Sequence, residues 1–97
     1  MAPEIVQKKD YNGFQTDIWS LGVILFLMLS GNYPFKGVSE RELYQKIMRG
    51  IYSMLDCIPV DARKLIARIL SVDAHKRPTI KEVCTDRWML QSVRLIE

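Results

Sequence analysis

From Asp17 to Ser30 the chain is apolar on almost every side: Ile18, Trp19, Leu21, Val23, Ile24, Leu25, Phe26, Leu27, Met28 and Leu29 are interrupted only by Ser20 and Gly22. A helix of this kind belongs in a protein interior. Gly31 stands where the left-handed conformation that ends a helix is needed, and Asp17, in the expected first turn, suits the positive end of the helix dipole. Ser39-Glu40-Arg41-Glu42 has capping-box spacing and opens a second helix striped by Leu43, Tyr44, Ile47 and Met48, with Gly50 as its stop. After the break at Pro59, Leu65, Ile66, Ile69 and Leu70 recur along an amphipathic helix whose other side carries Arg63, Lys64 and Arg68. Thr79-Ile80-Lys81-Glu82, directly after Pro78, repeats the capping box and leads to Val83, Trp88, Met89 and Leu90. No segment alternates with period two. The pattern predicts an all-α chain with a short helix at about 3–8 and longer ones at about 17–30, 40–49, 61–71 and 79–90.

Ninety-seven residues, 48% apolar and 26% charged, suit one small globular domain. A domain of this size buries only somewhat more than ~60% of the surface its unfolded chain exposes, so the loss of any packing partner is felt. Fourteen Lys and Arg against eleven Asp and Glu give a net charge of +3 without any block of like charge, and no nucleic-acid footprint is expected. Cys57 and Cys84 stand alone and His75 is the single histidine, so a zinc site is short of ligands. Both cysteines are expected as reduced thiols of a cytosolic or nuclear protein. The longest apolar run, Leu21 to Leu29, is shorter than the ~20 residues that cross a bilayer, and Met1 is not followed by a signal-peptide pattern. No membrane association is expected.

Ala2-Pro3-Glu4 is followed by four further segments in a fixed order: Asp17-Ile18-Trp19-Ser20-Leu21-Gly22-Val23, then Ser30-Gly31-Asn32-Tyr33-Pro34-Phe35, then Leu65-Ile66-Ala67-Arg68-Ile69-Leu70, and finally Asp73-Ala74-His75-Lys76-Arg77-Pro78-Thr79. Ala-Pro-Glu is the last of the ordered protein-kinase signatures. Along nearly its whole length the chain resembles the distal part of a serine/threonine kinase C-lobe. Within that superfamily it is most similar to the calcium/calmodulin-dependent and AMP-activated group, through Trp-Ser-Leu-Gly-Val-Ile-Leu and Gly-x-Tyr-Pro-Phe.

The resemblance implies a partial kinase domain over residues 1–97 that starts where the catalytic motifs have ended. Phosphoryl transfer needs a Gly-rich cover, a lysine on the phosphates, metal ligands and a carboxylate for the substrate hydroxyl. Gly13, Gly22, Gly31, Gly37 and Gly50 are too dispersed to cradle a phosphate, and neither His-Arg-Asp nor Asp-Phe-Gly occurs. No catalytic, cofactor-binding or metal-binding residue is therefore assigned, and ATP and magnesium would belong to the complete domain. The resemblance gives Glu4 and Arg77 an architectural ion pair, Asp17 a role in holding the catalytic loop, and Trp19 a core position near Ala-Pro-Glu. Ser20 is read as a small interior residue rather than a nucleophile. Leu27 stands where some branches carry a glutamate for a substrate arginine, so no acidic pocket is implied. The 40–49 helix, entered through Tyr33 and Phe35, resembles a docking helix of many kinases; Tyr44 and Met48 would present its patch, against the plainer alternative that they pack inward.

Three readings follow. The first is a truncated, pseudokinase-like piece of an active enzyme, inactive alone, with Met1 as an internal methionine taken as a start. The second is a non-catalytic interaction module that binds protein partners through the central helix or the 40–49 helix. The third, an unrelated helical domain, requires four ordered matches by chance.

Overall fold

Local chemistry accounts for where several of the helices begin or end. The computed structural model describes residues 1–96, with side chains through Gln91. Helix is the only regular structure among the described residues: α1 (Pro3–Val6), α2 (Gly13–Ser30), α3 (Glu40–Arg49), α4 (Val60–Ile69), a 3-10 turn at Ala74–Lys76, α5 (Ile80–Cys84) and α6 (Arg87–Ile96). The all-α expectation holds.

Helix α2 starts four residues earlier than the apolar pattern indicates. The Asn12 side chain accepts hydrogen bonds from the backbone amides of Phe14 and Gln15 and so caps the helix. Asp17 consequently lies beyond the first turn and is exposed rather than seated at the helix start. Gly31 ends α2 with φ 74°, as its position predicts. Ser39 caps α3 and Gly50 closes it, while Thr79 and Glu82 complete a reciprocal capping box on α5. The expected single helix over 79–90 is two helices, because Asp86 interrupts it and caps the next by accepting from the Trp88 amide.

The core forms on both sides of α4. Phe26, Trp19 and Phe35 gather with Ile58, Ala62 and Ile66, while Ile18 packs with Leu65, Ile69 and Val83. Helix α2 lies against α4, α1 against α3, and α4 against α6. At Gly22 the α2 and α4 backbones come so close that a Cβ would collide with Ile69 Cγ2 and stand 3.0 Å from Leu70 Cδ2.

The shape is flat, 43 × 28 × 16 Å. A helix with its side chains is about 10–12 Å across, so the thinnest dimension cannot cover a central helix on two sides. Only Ile18, Trp19, Gly22 and Phe26 of α2 are buried. Phe14, Ile24 and Met28 are exposed, at 85%, 51% and 76%. With half-buried Leu21 they fall within about 80° of arc at 100° per residue, a second apolar face on the other side of the helix from buried Trp19 and bordered by Ser20. Ser20 is thus on the surface, its hydroxyl turned back to the Thr16 carbonyl, and is not the interior residue expected. The surface of 6665 Å² exceeds the about 5,700 Å² typical of a folded monomer of this mass. By length and mean hydropathy, 1.4 over 18 residues, α2 also meets the composition of a short membrane span; here it is the central helix of the fold.

Candidate functional site: the Glu4–Arg77 lock and the open face of the central helix

Pro3 at the first position of α1 supplies the backbone angle a helix start needs, and the next residue, Glu4, is directed inward. Its carboxylate meets Arg77 in a fork: Nη1 donates to Oε2 at 2.7 Å and Nη2 to Oε1 at 2.8 Å. Both side chains are buried, Arg77 completely and Glu4 to 8% exposure. Two buried charges are tolerated only where their remaining hydrogen-bonding capacity is met. Here it is. Arg77 Nε donates to the Ser71 carbonyl, Nη1 also to the Gln15 carbonyl and Nη2 also to the Val72 carbonyl, so all five guanidinium donors have acceptors. Glu4 Oε2 further accepts from the Thr16 hydroxyl at 2.8 Å.

The bonded Arg77 guanidinium holds the Glu4 carboxyl at about 2, down from 4.5, against burial, which pushes it up; the Thr16 hydroxyl adds to the lowering. One residue thereby ties α1, the first turns of α2 and the loop after α4 together. Neither Thr16 nor the carbonyls of Gln15, Ser71 and Val72 carries a sequence signal, since backbone acceptors look alike at every position.

Trp19 is buried, stacked on Phe35 at 5.5 Å, in the same cluster as Ala2. Its indole Nε1 has no hydrogen-bond partner among the described residues. Phe35 is accordingly core, closed off by Tyr52 at 5.4 Å, and does not present itself for docking. Tyr33 is exposed, and Tyr44 and Met48 are half-buried. The Tyr44 hydroxyl donates to Glu40 on its own helix, and Tyr44 and Met48 line a shallow hollow beside Val6.

Beside the lock lies a larger hollow of about 690 Å³, bordered by Phe14, Asp17, Ile18, Leu21, Arg77 and Pro78. Asp17 opens onto it and has no hydrogen-bond partner among the described residues. The hollow continues into the exposed apolar stripe of α2. No group of three or more His, Cys, Asp or Glu that could hold a metal occurs among the described residues. Cys57 and Cys84 are both exposed and unpaired with each other.

A helical array locked by a buried Glu–Arg fork is what the ordered motifs led to, and comparison with known proteins gives it a family. The profile of the protein kinase domain matches residues 1–89, so the chain belongs to the protein kinase family. Among its relatives, the chain is 38% identical over 95 residues to the "Probable serine/threonine-protein kinase MARK-A" of Dictyostelium discoideum. It is 40% identical over 88 residues to CBL-interacting protein kinase 16 of Oryza sativa subsp. japonica, and 34% identical over 97 residues to CBL-interacting serine/threonine-protein kinase 20 of Arabidopsis thaliana. The matches cover 98%, 91% and 100% of this chain but only 9%, 19% and 22% of those relatives.

Proposed function

We propose that this chain is the distal part of a serine/threonine kinase C-lobe, a scaffold on which the catalytic half of a complete kinase domain is seated, and that the chain alone does not transfer phosphate. The observation that carries this is Asp17: without a side-chain hydrogen-bond partner among the described residues, exposed, bordering a hollow of about 690 Å³ and on the same side of α2 as exposed Phe14, Ile24 and Met28. In the family it resembles, an aspartate at this position accepts backbone hydrogen bonds from the catalytic loop. A carboxylate oriented by a helix and bordered by apolar surface suits that use, because loop amides would satisfy it while apolar neighbours exclude water. The complete domain would move the γ-phosphate of ATP onto protein Ser or Thr, with nucleotide and metal held by motifs this sequence does not contain. Exposed, unpaired thiols favour a reducing, intracellular setting.

The test is phosphate transfer by the purified 97-residue chain from radiolabelled Mg-ATP to a mixture of Ser- and Thr-containing peptides. Transfer at background is the expected result. Transfer that rises in proportion to chain concentration overturns the proposal.

A second reading, a non-catalytic interaction module, is favoured by the same stripe, since an apolar face of this extent seeks a protein partner. Sedimentation tests this second reading. A concentration-independent monomer with a sharp melt argues against an interaction module.

A further inference from the structure

A second cavity, of about 350 Å³, lies on the other end of the molecule, between the C-terminal end of α2, the turn after it, the last part of α3 and the segment before α4. Its apolar floor is made by Phe26, Pro34, Tyr52 and Leu55. Tyr52 stands edge-on to both Phe26 and Phe35, with ring centroids 6.1 and 5.4 Å apart, so the floor is braced by the core rather than by loop contacts. The volume is at the low end of ligand pockets, enough for one side chain and its neighbours and too small for a nucleotide-sized cofactor.

Lys36 and Lys46 both line the cavity, and among the described residues no Asp or Glu lines it. Lys36 Nζ is held by the Asn32 side-chain oxygen at 3.2 Å, which orients the ammonium without neutralising it. Lys46 pairs with Glu42 at 3.3 Å along α3, an exposed pair that an incoming carboxylate can displace. Tyr33 and Ile51 extend the apolar surface outward at 58% and 52% exposure. The carbonyl end of α2 lies close by and disfavours a bare anion on the floor, so negative charge belongs at the rim and apolar matter inside.

We propose that this cavity docks a short acidic peptide segment, which inserts one aromatic or aliphatic side chain over Tyr52 while flanking carboxylates meet Lys36 and Lys46. The site lies apart from the Glu4–Arg77 lock and from the hollow at Asp17, and the proposal does not rest on the catalytic reading above.

The probe is fluorescein-labelled Gly-Glu-Asp-Phe-Asp-Glu-Gly, titrated with the 97-residue chain and followed by anisotropy. Saturable binding is expected, weakened about tenfold by K36Q/K46Q and by raising the salt from 50 to about 300 mM. Replacing the peptide's Phe by Gly is expected to abolish binding. Both lysines are on the surface, and far-ultraviolet circular dichroism of the variant should match wild type. No saturable binding, binding that ignores K36Q/K46Q, or equal binding of the Gly peptide overturns the proposal; the last would mean attraction by charge alone.

Discussion

Glu4 and Arg77 are 73 positions apart and meet through two parallel hydrogen bonds of 2.7 and 2.8 Å in a site closed to solvent. Around them every guanidinium donor is used. Arg77→Ala strands the Glu4 carboxylate together with the Thr16 hydroxyl and three backbone carbonyls. Removing one partner of a buried pair costs on the order of 3–5 kcal/mol. Urea denaturation of the variant is expected to show this, with Arg77→Lys intermediate because an ammonium cannot reproduce the fork. A midpoint equal to wild type would remove the lock from the account.

The same pair sets an acid limit. Glu4 titrates at about 2 in the fold and near 4.5 when unfolded, because Arg77 favours its charged form. A depressed carboxyl contributes stability that is fully present above the unfolded value and is lost as pH falls through the folded one. About 3 kcal/mol should therefore disappear between roughly pH 4.5 and 2. Glu4→Gln should be less stable at pH 7 and should flatten this part of the profile, as read from denaturant midpoints at a series of pH values.

Gly22 is a helix-interior glycine whose replacement by alanine would raise helix propensity by about 1 kcal/mol in isolation. In place, the new methyl meets Ile69 Cγ2, an atom fixed on a β-branched side chain, and Leu70 Cδ2 at 3.0 Å. Overpacking of this kind costs typically about 1–3 kcal/mol. Gly22→Ala is expected to lower the thermal midpoint, and Gly22→Leu to prevent α2 and α4 from docking.

Ile24 and Met28 lie on the uncovered face of α2. Ile24→Gln with Met28→Gln should leave the denaturation midpoint within about 0.5 kcal/mol of wild type while reducing dye binding and self-association, because surface substitutions touch few contacts. Analytical ultracentrifugation at two concentrations checks it. A large loss of stability would mean that this face is packed after all.

The parts of this architecture that follow from near neighbours were readable in the chain. Ser39 and Thr79 announce their helices through glutamates three residues later, and Gly31 and Gly50 mark ends that require positive φ. Asn12 and Asp86 carry the same kind of local signal, yet the strong apolar run beginning at Ile18 masks the first, and continuous helix-forming residues mask the second. The Glu4–Arg77 pairing came from resemblance, because nothing in spacing relates two charges so far apart. Which apolar face of α2 is covered depends on what is packed beside it. Composition is nearly the same on both faces, so Ile24 and Phe26 are indistinguishable until α4 is in place. Phe35 departs from its expected exposure for a related reason: its burial is decided by Trp19 and Tyr52, which reach it from different segments.

The lock also has a place in time. Closing a loop of 73 residues costs about 4 kcal/mol of chain entropy, more than an early, isolated contact returns. The fork can form only after α2 and the loop following α4 have been brought together, so it belongs to the last step of folding rather than to its nucleus. Substitutions at Arg77 should therefore leave the refolding rate nearly unchanged and appear almost wholly as faster unfolding. In this fold Glu4 and Arg77 act as a latch that slows escape from a structure already assembled.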